Sequence, residues 1–260
     1  MKKYLYILPI ILIPLALVLF TGCPKDDDGV VAKPTITVHT AVLEGANFKL
    51  DWTDNTEDGS EVFFLYAGGL NNFVDSTYNL AYTFDATDRA SIVSVTALVG
   101  DDESGEAEHD LSLTTTSSLN VWSTADPDTG HPSFVKFTNG TATAVSANHA
   151  DDATFYINND IEFESIKYWS GVTTTVDPAF ADASTPFDFA PGTGNYTRPW
   201  PTSGSMSIGA TYYIWIDYPT LGSMGDEDSF AKIYVVDIVG NKVTLNIFYQ
   251  GEAGLRWLVD

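Results

Sequence analysis

Imidazole side chains are the first candidates for chemistry, because paired imidazoles can hold a metal ion or haem iron. We expect His39, in the first predicted strand, and His109, in an acidic loop, to be surface residues. His131 and His149 are 18 residues apart in turns rich in Asp and Gly. They are candidate ligand-binding residues, and exposed turn histidines are the alternative. Met206 could add an axial thioether, although a single Met more often packs in a core.

Aromatic residues form the second candidate group. Trp169, Tyr196 and Trp200 lie in or beside segment 170–207, which is rich in Gly, Pro, Thr and Ser. Two prolines flank Trp200 and favour an extended backbone there. Exposed tryptophan on a loop of a rigid β scaffold often contacts sugars or flat ligands. The alternative is that the loop folds back and Trp200 plugs one end of the domain.

No sequence motif indicates catalysis. The chain has no Gly-x-Ser-x-Gly, no His-Glu-x-x-His and no phosphate-binding glycine loop. Asp128-Thr129-Gly130 matches the aspartic protease tripeptide, but an apolar strand before it and a second copy are both missing. We therefore expect a protein that is not an enzyme and has no dedicated metal site.

The charge balance argues against nucleic acid as a partner. The chain has 35 acidic and 12 basic residues, a net charge of −23. A surface this negative repels phosphate backbones and favours solubility. Cys23 is the one cysteine, so we expect neither disulfides nor thiol ligands in the folded part.

The first 23 residues have the organisation of an export signal. Lys2 and Lys3 precede the apolar run Tyr4 to Phe20, and Thr21-Gly22-Cys23 closes it. This segment resembles a bacterial lipoprotein signal, which implies removal of residues 1–22 and lipid attachment at Cys23. Phe20 departs from the leucine usual at its position. The alternative is a transmembrane anchor, since 17 apolar residues approach the minimum span, but two prolines in the run disfavour it.

Residues 23–33 are expected to form an acidic tether. Lys25 followed by three aspartates resembles the signal that sends some Gram-negative lipoproteins to the outer face of the outer membrane. A lipid-anchored protein at the cell surface is the location that this resemblance implies. A flexible solvated linker would have the same composition.

Beyond residue 30, hydrophobic periodicity predicts an all-β protein. Short alternating runs are separated by Gly, Asp, Asn and Pro clusters, and Phe48, Leu50 and Trp52 alternate with polar residues. Tyr212 to Tyr218 and Ile233 to Val239 are apolar on both faces, which predicts central strands covered on both sides. We interpret Leu113 to Ser118 as a polar linker between two β domains.

Residues 34–116 resemble a fibronectin type III domain. The residues that carry the resemblance are Leu50-Asp51-Trp52-Thr53-Asp54-Asn55, Tyr66, Val93-Ser94-Val95-Thr96-Ala97 and Ser104-Gly105-Glu106. The resemblance implies a β-sandwich in which Trp52 fills the space between the sheets. Ser91 occupies the place where the family usually has a tyrosine that makes a corner hydrogen bond.

Residues 119–260 resemble the HmuY-like haem-binding lipoproteins, which implies a second, mostly antiparallel β domain. The matching motifs are Phe134-Val135-Lys136-Phe137-Thr138-Asn139-Gly140, Asp152-Ala153-Thr154-Phe155, Tyr212-Tyr213-Ile214, Phe230-Ala231-Lys232-Ile233 and Ile247-Phe248-Tyr249-Gln250. Members bind haem through two histidines in the middle of the domain. Residues 170–207 contain no histidine, so the resemblance carries the fold here and not the ligand pair.

Two functions are consistent with the sequence. One is a surface lipoprotein that captures haem or another flat small molecule through aromatic loop residues. The other is an adhesive or structural surface module whose partner is a protein or a polysaccharide. In both, the membrane contact is the lipid anchor.

Overall fold

The computed structural model describes residues 30–57, 59–174, 176–182, 190, 201–217, 225 and 227–259. Strands account for 52% of the residues and helices for 4%, so the predicted all-β fold is confirmed. No helix among the described residues is long and apolar enough to cross a bilayer. Cys23, Tyr196 and Trp200 lie outside the described residues.

The first part of the chain forms two sheets, which we call the first sandwich. Its strands are β1 (Thr35–Val42), β2 (Asn47–Thr53), β3 (Val62–Ala67), β4 (Phe73–Thr77), β5 (Ala81–Phe84), β6 (Ile92–Val99), β7 (Asp102–Glu103) and β8 (Ala107–Asp110). One sheet has the order β1-β2-β5, and the other has the order β4-β3-β6-β7 with β8 also paired to β6. All of these pairings are antiparallel.

Alternating side chains build the core of the first sandwich. Phe48, Leu50 and Trp52 on β2 are buried while the residues between them are partly exposed, as the sequence predicts. Trp52 packs edge-on against Phe63 of the facing sheet, with ring centroids 5.4 Å apart. Trp52 therefore does fill the space between the two sheets.

The second part of the chain forms two five-stranded sheets, which we call the second sandwich. Its strands are β9 (Thr114–Trp122), β10 (Phe134–Thr138), β11 (Thr141–Val145), β12 (Phe155–Ile157), β13 (Glu162–Ser165), β14 (Asp177–Asp182), β15 (Ser203–Ser205), β16 (Thr211–Asp217), β17 (Ser229–Val239) and β18 (Lys242–Tyr249). The sheet orders are β14-β16-β17-β18-β9 and β11-β10-β12-β13-β15. Two short 3-10 helices, Ala147–Asp152 and Ile166–Tyr168, lie in the connections.

Strand β16 is buried on both faces over Tyr212 to Asp217. One face contributes Tyr212, Ile214 and Ile216 to the core between the two sheets. The other face, with Tyr213 and Trp215, packs in a smaller cluster that includes Leu258. The predicted two-sided burial of this strand is therefore confirmed over the residues that the structure describes.

Strand β17 differs from its prediction. Both faces are buried only from Ser229 to Ile233, whereas Tyr234, Val236 and Val239 are exposed. The register with β18 shifts between Val235 and Asp237, and such a bulge redirects the strand. The prediction that Ile233 to Val239 is covered on both sides was wrong, because apolar residues before, within and after the bulge face solvent.

Leu113 to Ser118 were interpreted as a linker, but residues 114–118 are the start of strand β9. This edge strand pairs with β18 from Thr114↔Tyr249 to Trp122↔Lys242. Its threonines are good strand formers, and polar side chains are common at a sheet edge that meets water. The linker interpretation was therefore wrong.

The segment after β18 returns to the first sandwich. Leu255 and Trp257, which the sequence assigns to the second domain, are fully buried in the core that contains Phe48 and Trp52. The Trp257 indole donates to the Ala46 carbonyl at 2.8 Å. Residues 250–259, here called the C-terminal segment, thus contribute to both sandwiches.

Candidate functional site

A β-hairpin on the second sandwich provides the scaffold of the candidate site. Strands β12 and β13 are joined at residues 158–161, where Ile161 has a φ of 60°. The Asn158 side chain accepts hydrogen bonds from the amides of Asp160 and Glu162, both at 3.0 Å. This local bonding is what asparagine typically provides in a turn, and it fixes the polar end of the hairpin.

The 3-10 helix that follows β13 places Trp169. Ser165 caps this helix by accepting from the Lys167 amide at 3.3 Å, and the Trp169 amide donates to the Ile166 carbonyl. The indole packs edge-on against Phe134 and Tyr156, with centroid distances of 4.9 and 5.2 Å. Trp169 is half-buried, so these contacts hold the ring while part of it stays accessible.

Tyr156 and Glu164 face each other across the hairpin. The two residues are directly paired in the β12–β13 register, so their side chains lie on the same face of the sheet. Burial raises the pKa of Tyr156, and its hydrogen bond to the Glu164 carboxylate raises it further. The Tyr156 hydroxyl can therefore donate to the Glu164 carboxylate well above neutral pH.

These residues line an open groove of about 540 Å³. Its lining consists of Thr124, Tyr156, Asn158, Asn159, Asp160, Glu164 and Trp169. The Thr124 hydroxyl donates to the Asn159 amide oxygen at 2.8 Å, which joins the loop after β9 to the hairpin turn. The groove thus has an aromatic side, held by ring packing, and a polar side, held by hydrogen bonds.

The chemistry of the groove suits a ligand with both apolar faces and hydroxyl groups. The accessible part of the Trp169 ring offers apolar surface, while the carboxylates accept hydrogen bonds and the asparagine amides both accept and donate. A flat, wholly apolar ligand would remove Asp160 and Glu164 from water without offering them a hydrogen bond, which is unfavourable. The arrangement therefore favours a hydroxylated ligand.

The other candidate binding residues predicted from the sequence lie apart from the groove in the structure. His131 stacks on Trp122, with centroids 4.4 Å apart, and bonds to Asp126 at 3.1 Å. His149 lies exposed in the 3-10 helix Ala147–Asp152. Met206 packs against the core between the two large sheets. Trp169 is the one candidate among the described residues that lines the groove; Tyr196 and Trp200 lie outside them.

Sequence reasoning missed the polar side of the groove. Asn158, Asn159 and Asp160 have the composition of an ordinary turn, and Glu164 is one of many strand carboxylates. A usable signal was the alternation of Phe163 with Glu162 and Glu164, which places two carboxylates on the face opposite the core. Of these two carboxylates, only Glu164 lines the groove with Trp169. Its proximity to Trp169 depends on the 3-10 helix that follows Ser165, which periodicity does not reveal.

Comparison with known proteins assigns no family. No family model matches the chain, and the curated proteins contain no significant match. Among solved structures, the chain is similar to a DUF4466 family protein from Parabacteroides merdae. That similarity has a TM-score of 0.36 and 10% sequence identity, and it covers 85% of this chain and 99% of the other. A likeness at this level assigns neither family nor function.

Proposed function

We propose that this chain is the precursor of a lipid-anchored outer membrane protein that binds carbohydrate without catalysis. The binding site is the groove beside Trp169. Cys23 carries the lipid, and the folded part is displayed at the cell surface. This corresponds to the polysaccharide-binding alternative given by the sequence.

The observation that carries the proposal is the combination of Trp169 with polar side chains in one groove. Sugars present apolar C–H faces that suit an aromatic ring and hydroxyls that suit carboxylates and amides. The open shape of the groove also suits one stretch of a longer chain. Haem, the alternative flat ligand, would be favoured by histidines that line the groove as axial ligands, and neither His131 nor His149 lines it.

The first sandwich fits a supporting role. Its strand order, β1-β2-β5 against β4-β3-β6 with β8, supports the fibronectin type III-like module suggested by the motif around Trp52. Such a module would act as a spacer between the lipid and the second sandwich. The acidic surface, with a net charge of −25 once Lys2 and Lys3 are removed from the −23 of the whole chain, keeps the displayed part soluble.

The binding proposal is tested on a glycan array, followed by titration of the best oligosaccharide. We expect Trp169→Ala to weaken binding by about tenfold or more, since a central aromatic contact commonly contributes over 1 kcal/mol. Glu164→Gln, which preserves size, should also weaken binding because it removes the charged acceptor. Trp169→Phe should retain part of the affinity through the remaining ring.

Tyr168→Ala is the matched control, because Tyr168 is an adjacent exposed aromatic residue that does not line the groove. It should bind like the wild type. Equal losses of carbohydrate affinity in Tyr168→Ala and Trp169→Ala would contradict the proposal that the groove is the binding site. A shift of the haemin Soret band that depends on Trp169 would instead identify a haem-binding protein.

The anchor is tested separately in cells. Cys23→Ser should release the protein from the membrane fraction, because the acyl chains attach to that thiol. Fractionation followed by immunoblotting measures the change, and the control is Ser112→Ala at an exposed position. If Cys23→Ser remained in the membrane at its full length, the apolar run would be an uncleaved anchor.

A further inference from the structure

Two histidines that the sequence places far apart meet beside one glutamate. His39 lies on β1, at the edge of the three-stranded sheet, and His109 lies on β8, which pairs with β6 of the opposite sheet. These two strands come together along the open side of the first sandwich. Glu252 arrives from the C-terminal segment and closes the group.

The ligand atoms of the three side chains converge. The His39 Nδ1 atom lies 3.1 Å from each Glu252 carboxylate oxygen. The His109 Nε2 atom lies 3.2 Å from the nearer of them, Oε2. One ligand atom from each residue falls within a span of 4.8 Å. Among the residues that the structure describes, this is the single group of three such side chains.

We propose that His39, His109 and Glu252 bind one divalent transition metal ion, with Zn²⁺ as the best-suited ion. Two imidazoles and a carboxylate are a common ligand set for zinc. Ligands bound to tetrahedral zinc at 2.0 to 2.2 Å are about 3.3 to 3.6 Å apart. The histidine–carboxylate separations are within a few tenths of an ångström of that spacing, so the carboxylate needs only a small movement. The two imidazole rings, with centroids 3.9 Å apart, would move apart to take separate positions on the ion.

The surroundings hold the three ligands in place. The His109 ring stacks on the buried Phe48 ring, with centroids 5.3 Å apart and an angle of 22° between the planes. The Glu252 amide donates to the side chain of Gln250 at 2.9 Å. Gln250 is itself buried and donates to the Trp257 carbonyl at 2.6 Å. These contacts come from residues that would not themselves bind the ion, and they restrict the positions of the ligands before a metal binds.

Solvent access differs among the ligands in a way that suits metal entry. The side chains of His109 and Glu252 are 18% and 17% exposed, whereas that of His39 is 45% exposed. Three protein ligands leave a fourth coordination position for water on the His39 side. The metal would join β1, β8 and the C-terminal segment, so its role is to stabilise the contact between them.

The test is zinc titration of chelator-treated protein by isothermal calorimetry. We expect one zinc ion per chain and a melting temperature that rises with zinc concentration, as linkage requires. His39→Gln, His109→Gln and Glu252→Gln should each weaken binding by about 100-fold or more, since even supporting residues contribute about 10- to 100-fold. Circular dichroism establishes that each variant is folded.

His149→Gln is the matched control, because it removes an exposed histidine elsewhere and should leave zinc affinity unchanged. The proposal is overturned if the wild type takes up no zinc, if the three variants bind zinc like the wild type, or if His149→Gln weakens binding equally. A wild-type melting temperature that does not change with zinc also overturns the proposal, even if a variant fails to fold. None of these residues lines the groove, so the outcome is independent of carbohydrate binding.

Discussion

Asp54 organises the turn between β2 and β3. Its carboxylate accepts hydrogen bonds from the amides of Thr56 and Ser60 at 3.0 and 2.6 Å. The hydroxyls of the same two residues donate to it at 2.7 and 2.8 Å. Four donors converge on one side chain, which is the usual role of aspartate in a turn.

We expect Asp54→Ala to lower the free energy of unfolding by about 1–3 kcal/mol, because it leaves those donors without their acceptor. Urea denaturation measures the loss. Glu57→Ala, at an exposed position in the same turn, should change stability by less than about 0.5 kcal/mol. Similar losses in the two variants would show that the hydrogen bonds of Asp54 do not hold the turn.

The stabilisation by Asp54 should depend on pH. Burial acts to raise the pKa of this carboxyl, but the hydrogen bonds from Thr56 and Ser60 outweigh it, so the pKa is lowered from 3.8. A carboxyl with a lowered folded-state pKa stabilises the protein fully above its unfolded-state value. The stability difference between wild type and Asp54→Asn should therefore shrink as the pH falls below 3.8. A constant difference would contradict this.

Single residues also show what the sequence can and cannot predict about a site. The sequence could name Trp169 as a candidate binding residue because a tryptophan is uncommon beside a long polar segment. The grouping of His39 and His109 with Glu252 could not be predicted, because the first two belong to opposite sheets and the third lies 213 residues beyond His39. Their meeting depends on the path of the C-terminal segment, which local patterns do not encode.

Among the strands, β9 shows how a polar edge is accommodated. Ser118 has a φ of 55°, and the register with β18 shifts between Leu245 and Ile247. The Ser118 amide, displaced from the regular ladder, donates to the Asn246 side chain at 2.9 Å. The Asn246 side chain therefore supplies a hydrogen-bond partner for the amide that the bulge displaces. The bulge also bends the edge strand.

We expect Ser118→Val to destabilise the second sandwich by about 1–2 kcal/mol, because a β-branched residue is strained at positive φ. Ser118→Gly should be at least as stable as the wild type, since glycine adopts this conformation without strain. Thermal unfolding compares the two, with Ser117→Val as the control, the same change at the neighbouring exposed strand position. If Ser118→Val were as stable as the wild type, the backbone at the bulge would not be held in the positive-φ conformation.

Strand patterns predicted the fold class more reliably than the burial of each face. Phe48, Leu50 and Trp52 alternate in the sequence and in the structure, because one face of β2 meets the core and the other meets water. In β17, Tyr234 and Val236 are apolar yet exposed. Apolar residues on a surface are common, so an unbroken apolar run does not by itself establish two buried faces.

For the whole molecule, the C-terminal segment connects the two sandwiches. Trp257 fills the first core, while Leu258 packs beside Trp215 of β16. The buried Lys232 ammonium donates to the Leu258 carbonyl at 3.0 Å. The Arg256 side chain donates to the Glu44 carbonyl at 2.8 Å. Neighbouring residues of one short segment thus belong to different cores.

We expect Trp257→Ala to lower the free energy of unfolding by about 3–5 kcal/mol, the usual effect of removing a buried aromatic side chain. Because the segment enters both cores, amide hydrogen exchange should accelerate in β2 and also in β16. Val239→Ala, an exposed position on β17, should leave both rates unchanged. Acceleration confined to β2 would show that the two sandwiches unfold independently.

The hydrogen bond between Trp257 and Ala46 spans 211 positions, and this separation affects the timing of folding. Translation at about 5–20 residues per second places roughly 10–40 s between the synthesis of these two residues. During that interval the nascent N-terminal half has an unfilled slot where the indole belongs. The first sandwich should therefore remain loosely packed until the C-terminal segment is also available to complete its core.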